Sequence, residues 1–133
     1  VNDELSVESV WATKYGEFYY VKNIPFFAPN LAYNDLIKVE LDDGEYFFED
    51  IIQPSKHSTI QIVLFQTSET SRIVSFIEKI KCNWEGMYEQ KILAVDIPPE
   101  IDYSEVKEFL NIEKDKLVLD FKEACLRGKC SKE

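Results

Sequence analysis

The chain has 133 residues, 45% of them hydrophobic and 14% aromatic, and a formal net charge of −10. That is enough apolar material for the core of one domain spanning 1–133, which argues against disorder. The negative charge disfavours direct binding to DNA, RNA or an anionic membrane, because each phosphate contact needs a Lys or Arg.

Residues 6–13 read as a first strand, and Tyr15-Gly16 as a turn. Residues 17–23 are aromatic and β-prone, a second strand. The stretch 24–34 carries two prolines and no helical period, which marks a structured loop. In residues 35–41, Ile37, Val39 and Leu41 share one face of a third strand, with Lys38 and Glu40 on the other. Asp42-Asp43-Gly44 is a hairpin turn. Residues 45–52 form a fourth strand whose alternation slips between Phe47-Phe48 and Glu49-Asp50, the mark of a bulge. After Pro54, residues 59–66 are a β-branched strand. Ser68 or Thr70 is positioned to cap a helix running to about Lys81, with Ile73, Phe76, Ile77 and Ile80 on one face. Asn83 and Gly86 break the chain, and residues 88–97 return as a strand ended by Pro98-Pro99. A second helix over 103–112 turns Val106, Phe109 and Leu110 inward, capped by Asp102 or Ser104. Residues 116–120 read as a short strand and 121–127 as a last helix ending at Gly128.

These elements predict an α+β fold. A curved antiparallel N-terminal sheet or partial barrel (residues 1–54) packs on a C-terminal split βαβ-like unit (residues 55–133). The joint at residues 53–58 is too short for a flexible linker. No apolar run approaches the ~20 residues of a membrane helix. The N-terminus Val1-Asn2-Asp3-Glu4 has no signal-peptide character. Cys82, Cys125 and Cys130 form no disulfide framework. Together these features predict a cytoplasmic protein with reduced thiols.

Catalytic and metal motifs are weak. His57 is the only histidine, so any imidazole base must be this residue. Ser58 or Thr59 would then serve as nucleophile and Asp50 would orient the ring. However, a nucleophile adjacent to its base is not the geometry of known triads. The more conservative reading is that His57-Ser58-Thr59 ties down the junction by hydrogen bonds. The acidic run around Asp42-Asp43-Gly44-Glu45 lacks the alternating oxygen ligands of a calcium loop. No catalytic set, metal or cofactor is expected, although a small hydrolase using His57, or a ligand-binding regulatory module, remains the alternative.

The charge and the aromatics are more informative. Residues 1–54 hold eleven Asp/Glu against three Lys, a net of −8, while 55–133 hold fourteen Asp/Glu against twelve Lys/Arg, a net of −2. The same acidic half carries Trp11, Phe18, Tyr19, Tyr20, Phe26, Phe27, Tyr33, Tyr46, Phe47 and Phe48. Rings among carboxylates suit a protein interface for a cationic surface. Simple solubility, with the rings buried as core, is the competing explanation. Candidate partner-binding residues are Asp42, Asp43, Glu45, Glu49 and Asp50, with Tyr19, Tyr46 and Trp84 as anchors.

Asn23-Ile24-Pro25-Phe26-Phe27-Ala28, Asp35 and His57-Ser58-Thr59-Ile60 resemble a family of small bacterial domains of unknown function. The likeness extends from Trp11 to Pro98. That family carries Gly-His-Ser-Thr with an Arg two residues on, whereas this chain has Lys56 and Gln61 at those places. The resemblance implies origin and fold rather than an activity. In general character the chain also resembles the immunity proteins of contact-dependent growth inhibition. That likeness implies an inhibitor of a basic toxin domain, such as an RNase or DNase.

Overall fold

The computed structural model describes residues 10–127. Ten regular elements follow in chain order: β1 (Ala12–Tyr15), β2 (Phe18–Val21), β3 (Leu36–Asp42), β4 (Glu45–Gln53), β5 (Ser58–Leu64), α1 (Thr70–Lys79), β6 (Asn83–Met87), β7 (Ile92–Ile97), α2 (Tyr103–Asp115) and β8 (Leu119–Cys125). They form two antiparallel four-stranded sheets, a meander β1-β2-β3-β4 and a second sheet ordered β6-β7-β5-β8. The fold is α+β, and neither sheet closes into a barrel. The second sheet has the β-α-β-β-α-β order of a split βαβ unit.

The alternation of β5 decides where the core sits. Ile60, Ile62 and Leu64 point to one face of the second sheet and join Leu93, Val95, Ile97 and Leu119. Ile73 and Ile77 of α1 and Val106 and Leu110 of α2 cover that face. Phe76 and Phe109 stack between the helices at 3.8 Å. Asp102 caps α2 by accepting from the Ser104 N–H at 3.0 Å. α1 has no side-chain cap; a single 3₁₀ turn over Thr67–Glu69 leads into it. Glu113, nearly fully buried, accepts from the two terminal nitrogens of the Arg72 guanidinium at 2.8 and 2.7 Å, which joins the two helices.

The other face of this sheet has no helix over it. Instead the β2–β3 loop, residues 22–35, lies across it as a strap. Each strap contact uses a polar side chain that alternation points away from the core. Thr59 Oγ1 donates to Leu31 O at 2.9 Å, Gln61 Nε2 reaches the carbonyls of Pro25 and Ala28 at 3.4 Å, and Glu85 accepts from Ile24 N–H at 3.2 Å. Leu31 and Ala28, on the strap's other side, pack with Val21, Ile37, Tyr19, Val39 and Ile51 of the first sheet. The strap is therefore the layer between the two sheets. Asp35, with no solvent exposure, pins its end. It accepts from Ala32 N–H at 2.9 Å, from Ser55 N–H at 2.8 Å and from both terminal nitrogens of Arg127.

Three local expectations change. Residues 83–87 are strand β6 rather than a break. Gly86 fits there because an added Cβ would come within 3.2 Å of the Trp84 and Tyr88 rings. The strand expected from Tyr88 begins only at Ile92, after a 3₁₀ turn that ends on Lys91 in the left-handed region. The last helix expected over 121–127 is instead the body of β8, because pairing along β5 outweighs local helix preference. The first strand expected over 6–13 lies partly outside the described residues; within them it is Ala12–Tyr15.

Two predictions follow from these contacts. Arg127→Ala leaves the Asp35 carboxylate buried without its countercharge and lowers stability by about 3 kcal/mol in urea denaturation. Arg127→Lys recovers only part of this, since a single ammonium does not span Asp35 and the Ser55 and Asn30 carbonyls together. Separately, the Arg72 guanidinium holds the Glu113 carboxyl below its ordinary 4.5. The stability from this pair is fully present above pH ~4.5 and disappears as pH falls through the lower folded value. Glu113→Gln therefore narrows its deficit against wild type as urea midpoints are taken from about pH 5 towards pH 3.

Candidate functional site

Seven of the eight residues expected to bind a partner converge on the β3–β4 hairpin and the ring beside it. The hairpin turn is built on Asp43 and Gly44, at φ 55° and 82°. Left-handed conformation at both central residues is the type I′ signature that Asp-Gly favours, and it matches the twist of the flanking strands. Cross-strand register then pairs Asp42 with Glu45, Leu41 with Tyr46, Glu40 with Phe47 and Val39 with Phe48. A register shift between Lys38 and Val39 leaves Glu49 as the extra residue of a bulge, at the slip seen in the sequence.

One face of the hairpin is apolar along its whole length. Ile37 at its root is buried with Val21 and Leu31. Outward along the same face, Leu41 is 60% exposed, Tyr46 61% and Phe48 54%. Nothing in the described chain covers this outer part. The Tyr19 ring lies 5.7 Å from Tyr46 and carries Lys14 Nζ at 5.2 Å. A hydrogen bond with Tyr19 pushes the Tyr46 phenol above 10.0.

Six carboxylates, Glu40, Asp42, Asp43, Glu45, Glu49 and Asp50, stand on the hairpin against one cation, Lys38. Lys38 reaches Glu49 at 4.0 Å. Among the described residues, Asp42, Asp43, Glu45 and Asp50 form no salt bridge. Asp42 and Glu45 sit directly opposite one another, a like-charge pair that costs the hairpin some stability. Trp84 does not join this group. It lies on β6 in the other sheet, packs against the main core and donates its indole N–H to Glu78 at 2.9 Å.

The His57 region has a different geometry from the one expected. Asp96 of β7, not Asp50, orients the ring, with its carboxylate oxygens 2.9 and 3.1 Å from His57 Nδ1. Tyr33 meets the ring edge-on at 5.4 Å. Burial pushes the Asp96 carboxyl up from 3.8, and His57 opposes that shift. Ser58 is fully buried, and its hydroxyl accepts the Arg127 N–H at 2.7 Å, so it is not offered to a substrate. Thr59 is committed to the strap. The arrangement secures the start of β5 and the end of β7. Gln61, at the position where related domains are expected to carry Arg, holds the strap carbonyls. A void between the helices and the sheet is apolar and about the size of one water molecule.

Neither the strap's anchor Asp35–Arg127 nor the Asp96 partner of His57 was found from sequence. Asp35, His57 and Asp96 all fall within the stretch that carries the resemblance to related domains, but nothing in the sequence pairs them.

A family model matches residues 8–121. The chain belongs to DUF4265, a domain of unknown function. The matched residues take in the first sheet, the strap and the second sheet as far as the start of β8. The chain is also similar to a solved hypothetical protein from Neisseria gonorrhoeae. The two share 31% identity and a TM-score of 0.72, over 83% of this chain and 76% of that one. No curated protein matches. Among the described residues, no helix is long and apolar enough to cross a membrane.

Gly44→Ala tests how rigidly the turn presents the carboxylates. An added Cβ meets nothing within 4 Å. The cost is therefore purely the left-handed backbone, about 1 kcal/mol by urea denaturation.

Proposed function

We propose that the chain is a protein-binding module of immunity type. Its β3–β4 hairpin docks a cationic toxin domain, such as a nuclease, and neutralises it. One observation carries this reading: exposed Leu41, Tyr46 and Phe48 project from the same hairpin as the carboxylates Asp42, Asp43, Glu45, Glu49 and Asp50. The rings supply the apolar burial that sets residence time, and the carboxylates steer a basic surface and speed encounter. The unrelieved repulsion between Asp42 and Glu45 supports the same reading, because a facing Lys or Arg would relieve it. A nuclease presents such cations where it holds phosphates, so an acidic hairpin inserted there occupies the place of the nucleic acid.

The test is retention of a partner from the native host's lysate by three purified forms: wild type, Asp42→Lys/Asp43→Lys/Glu45→Lys, and Tyr46→Ser/Phe48→Ser. Wild type retains a basic protein whose affinity falls with salt. The charge reversal weakens that affinity by ~10-fold or more and flattens the salt dependence. The ring variant mainly speeds dissociation. Adding wild type to the retained protein suppresses its toxic activity. All the substituted side chains are exposed, and matching circular dichroism and urea midpoints check that both variants, Asp43→Lys in the turn included, keep the wild-type fold. Equal retention by all three forms, with one salt dependence, rejects the reading.

A further inference from the structure

β4 is the outer strand of its sheet; among the described residues it pairs with β3 alone. The two-residue turn determines which of its backbone groups face outward. In such a hairpin the flanking pair, here Asp42 and Glu45, exchanges both hydrogen bonds, and bonded and non-bonded pairs then alternate. Leu41–Tyr46 and Val39–Phe48 are therefore non-bonded pairs. The N–H and C=O of Tyr46 and Phe48 point away from β3 towards the open edge. Their side chains lie on the exposed apolar face, so a strand added here gains both ladder bonds and ring contacts.

The template has a defined end. The Glu49 bulge interrupts it, and Asp50 Oδ1 takes the Ile51 N–H at 2.8 Å. Bulges and charge are how sheet edges limit unwanted pairing. Here they leave a short regular register, Glu45–Phe48, and they select its occupant. A second copy of the chain would set Glu45, Glu49 and Asp50 against their like, on molecules of net charge −10. A strand bearing Lys or Arg meets the opposite sign.

We propose that an extended, basic segment of the partner adds to β4 as a fifth strand at Glu45–Phe48. Its apolar residues lie alongside Tyr46 and Phe48, and its alternate Lys or Arg residues lie on the side of Glu45 and Phe47. This mode of engagement rests on the docking role proposed for the hairpin.

The test uses the full chain and two synthetic peptides of alternating Lys and Val, one of them N-methylated at every amide. The unmodified peptide is expected to bind and to slow amide exchange at Tyr46 and Phe48, read residue by residue, by about tenfold or more. The methylated peptide, equally charged but without ladder donors, binds at least ~10-fold more weakly. Equal binding of the two peptides, with exchange at Tyr46 and Phe48 unchanged, overturns strand addition and leaves the charge-steered docking standing. So does failure of both to bind at ~1 mM, since partner retention from the lysate tests the docking role separately. A concentration-dependent dimer that protects the same two amides without peptide overturns the choice of occupant.

Discussion

The fully buried carboxylate of Asp35 is the constraint on which the arrangement of the two sheets rests. It accepts four hydrogen bonds, from two backbone N–H groups and from both ends of the Arg127 guanidinium. Removing a charge from water costs several kcal/mol, and only dense compensation of this kind makes it tolerable. The four donors come from the end of the strap, from the joint before β5 and from the residues after β8. One side chain thereby ties together the end of the strap, the joint that follows β4 and the residues that follow β8.

That convergence explains how a split βαβ unit is completed in this chain. Such a unit buries one sheet face under its helices and leaves the other bare. Here the bare face is lined with Thr59, Gln61 and Glu85, polar side chains that would suit water equally well. They satisfy the backbone of an irregular loop instead, which is how a loop can be buried without orphaning its N–H and C=O groups. The first sheet then packs on the strap and never touches a helix-covered core. Only its root is buried this way, so the hairpin extends past the packed region with its apolar face uncovered.

Local chemistry made much of this visible in the sequence. The alternation of Ile37, Val39 and Leu41, the Asp-Gly turn, the slip at Glu49 and the helical spacing of Ile73, Phe76, Ile77 and Ile80 all act within a few residues. All of them appear in the structure. Residues 121–127 misled because Lys, Glu, Ala and Leu favour a helix locally, while the edge of β5 favours a strand from far away in sequence. Gly86 misled because a glycine inside a strand looks like a breaker until the rings that crowd it are placed. Trp84 matches the hairpin's aromatics in residue type, although its position on β6 assigns it to the other sheet. Asp35 with Arg127 and His57 with Asp96 lie 92 and 39 residues apart. No periodicity couples charges over such spans, so a single sequence offers only their identities.

The same 92-residue span sets an order of events during synthesis. The meander strands leave the ribosome well before Arg127 is made. At about 5–20 residues per second, Asp35 waits on the order of 5–20 s for its countercharge. At the start of that interval the strap has no sheet to lie on; β5, β6 and β7 follow within it, and β8 completes the second sheet only at its close. The first sheet is thus made before the sheet it packs with, yet its buried anchor is completed only at the end of β8. The like charges along its hairpin oppose pairing of one such waiting edge with another.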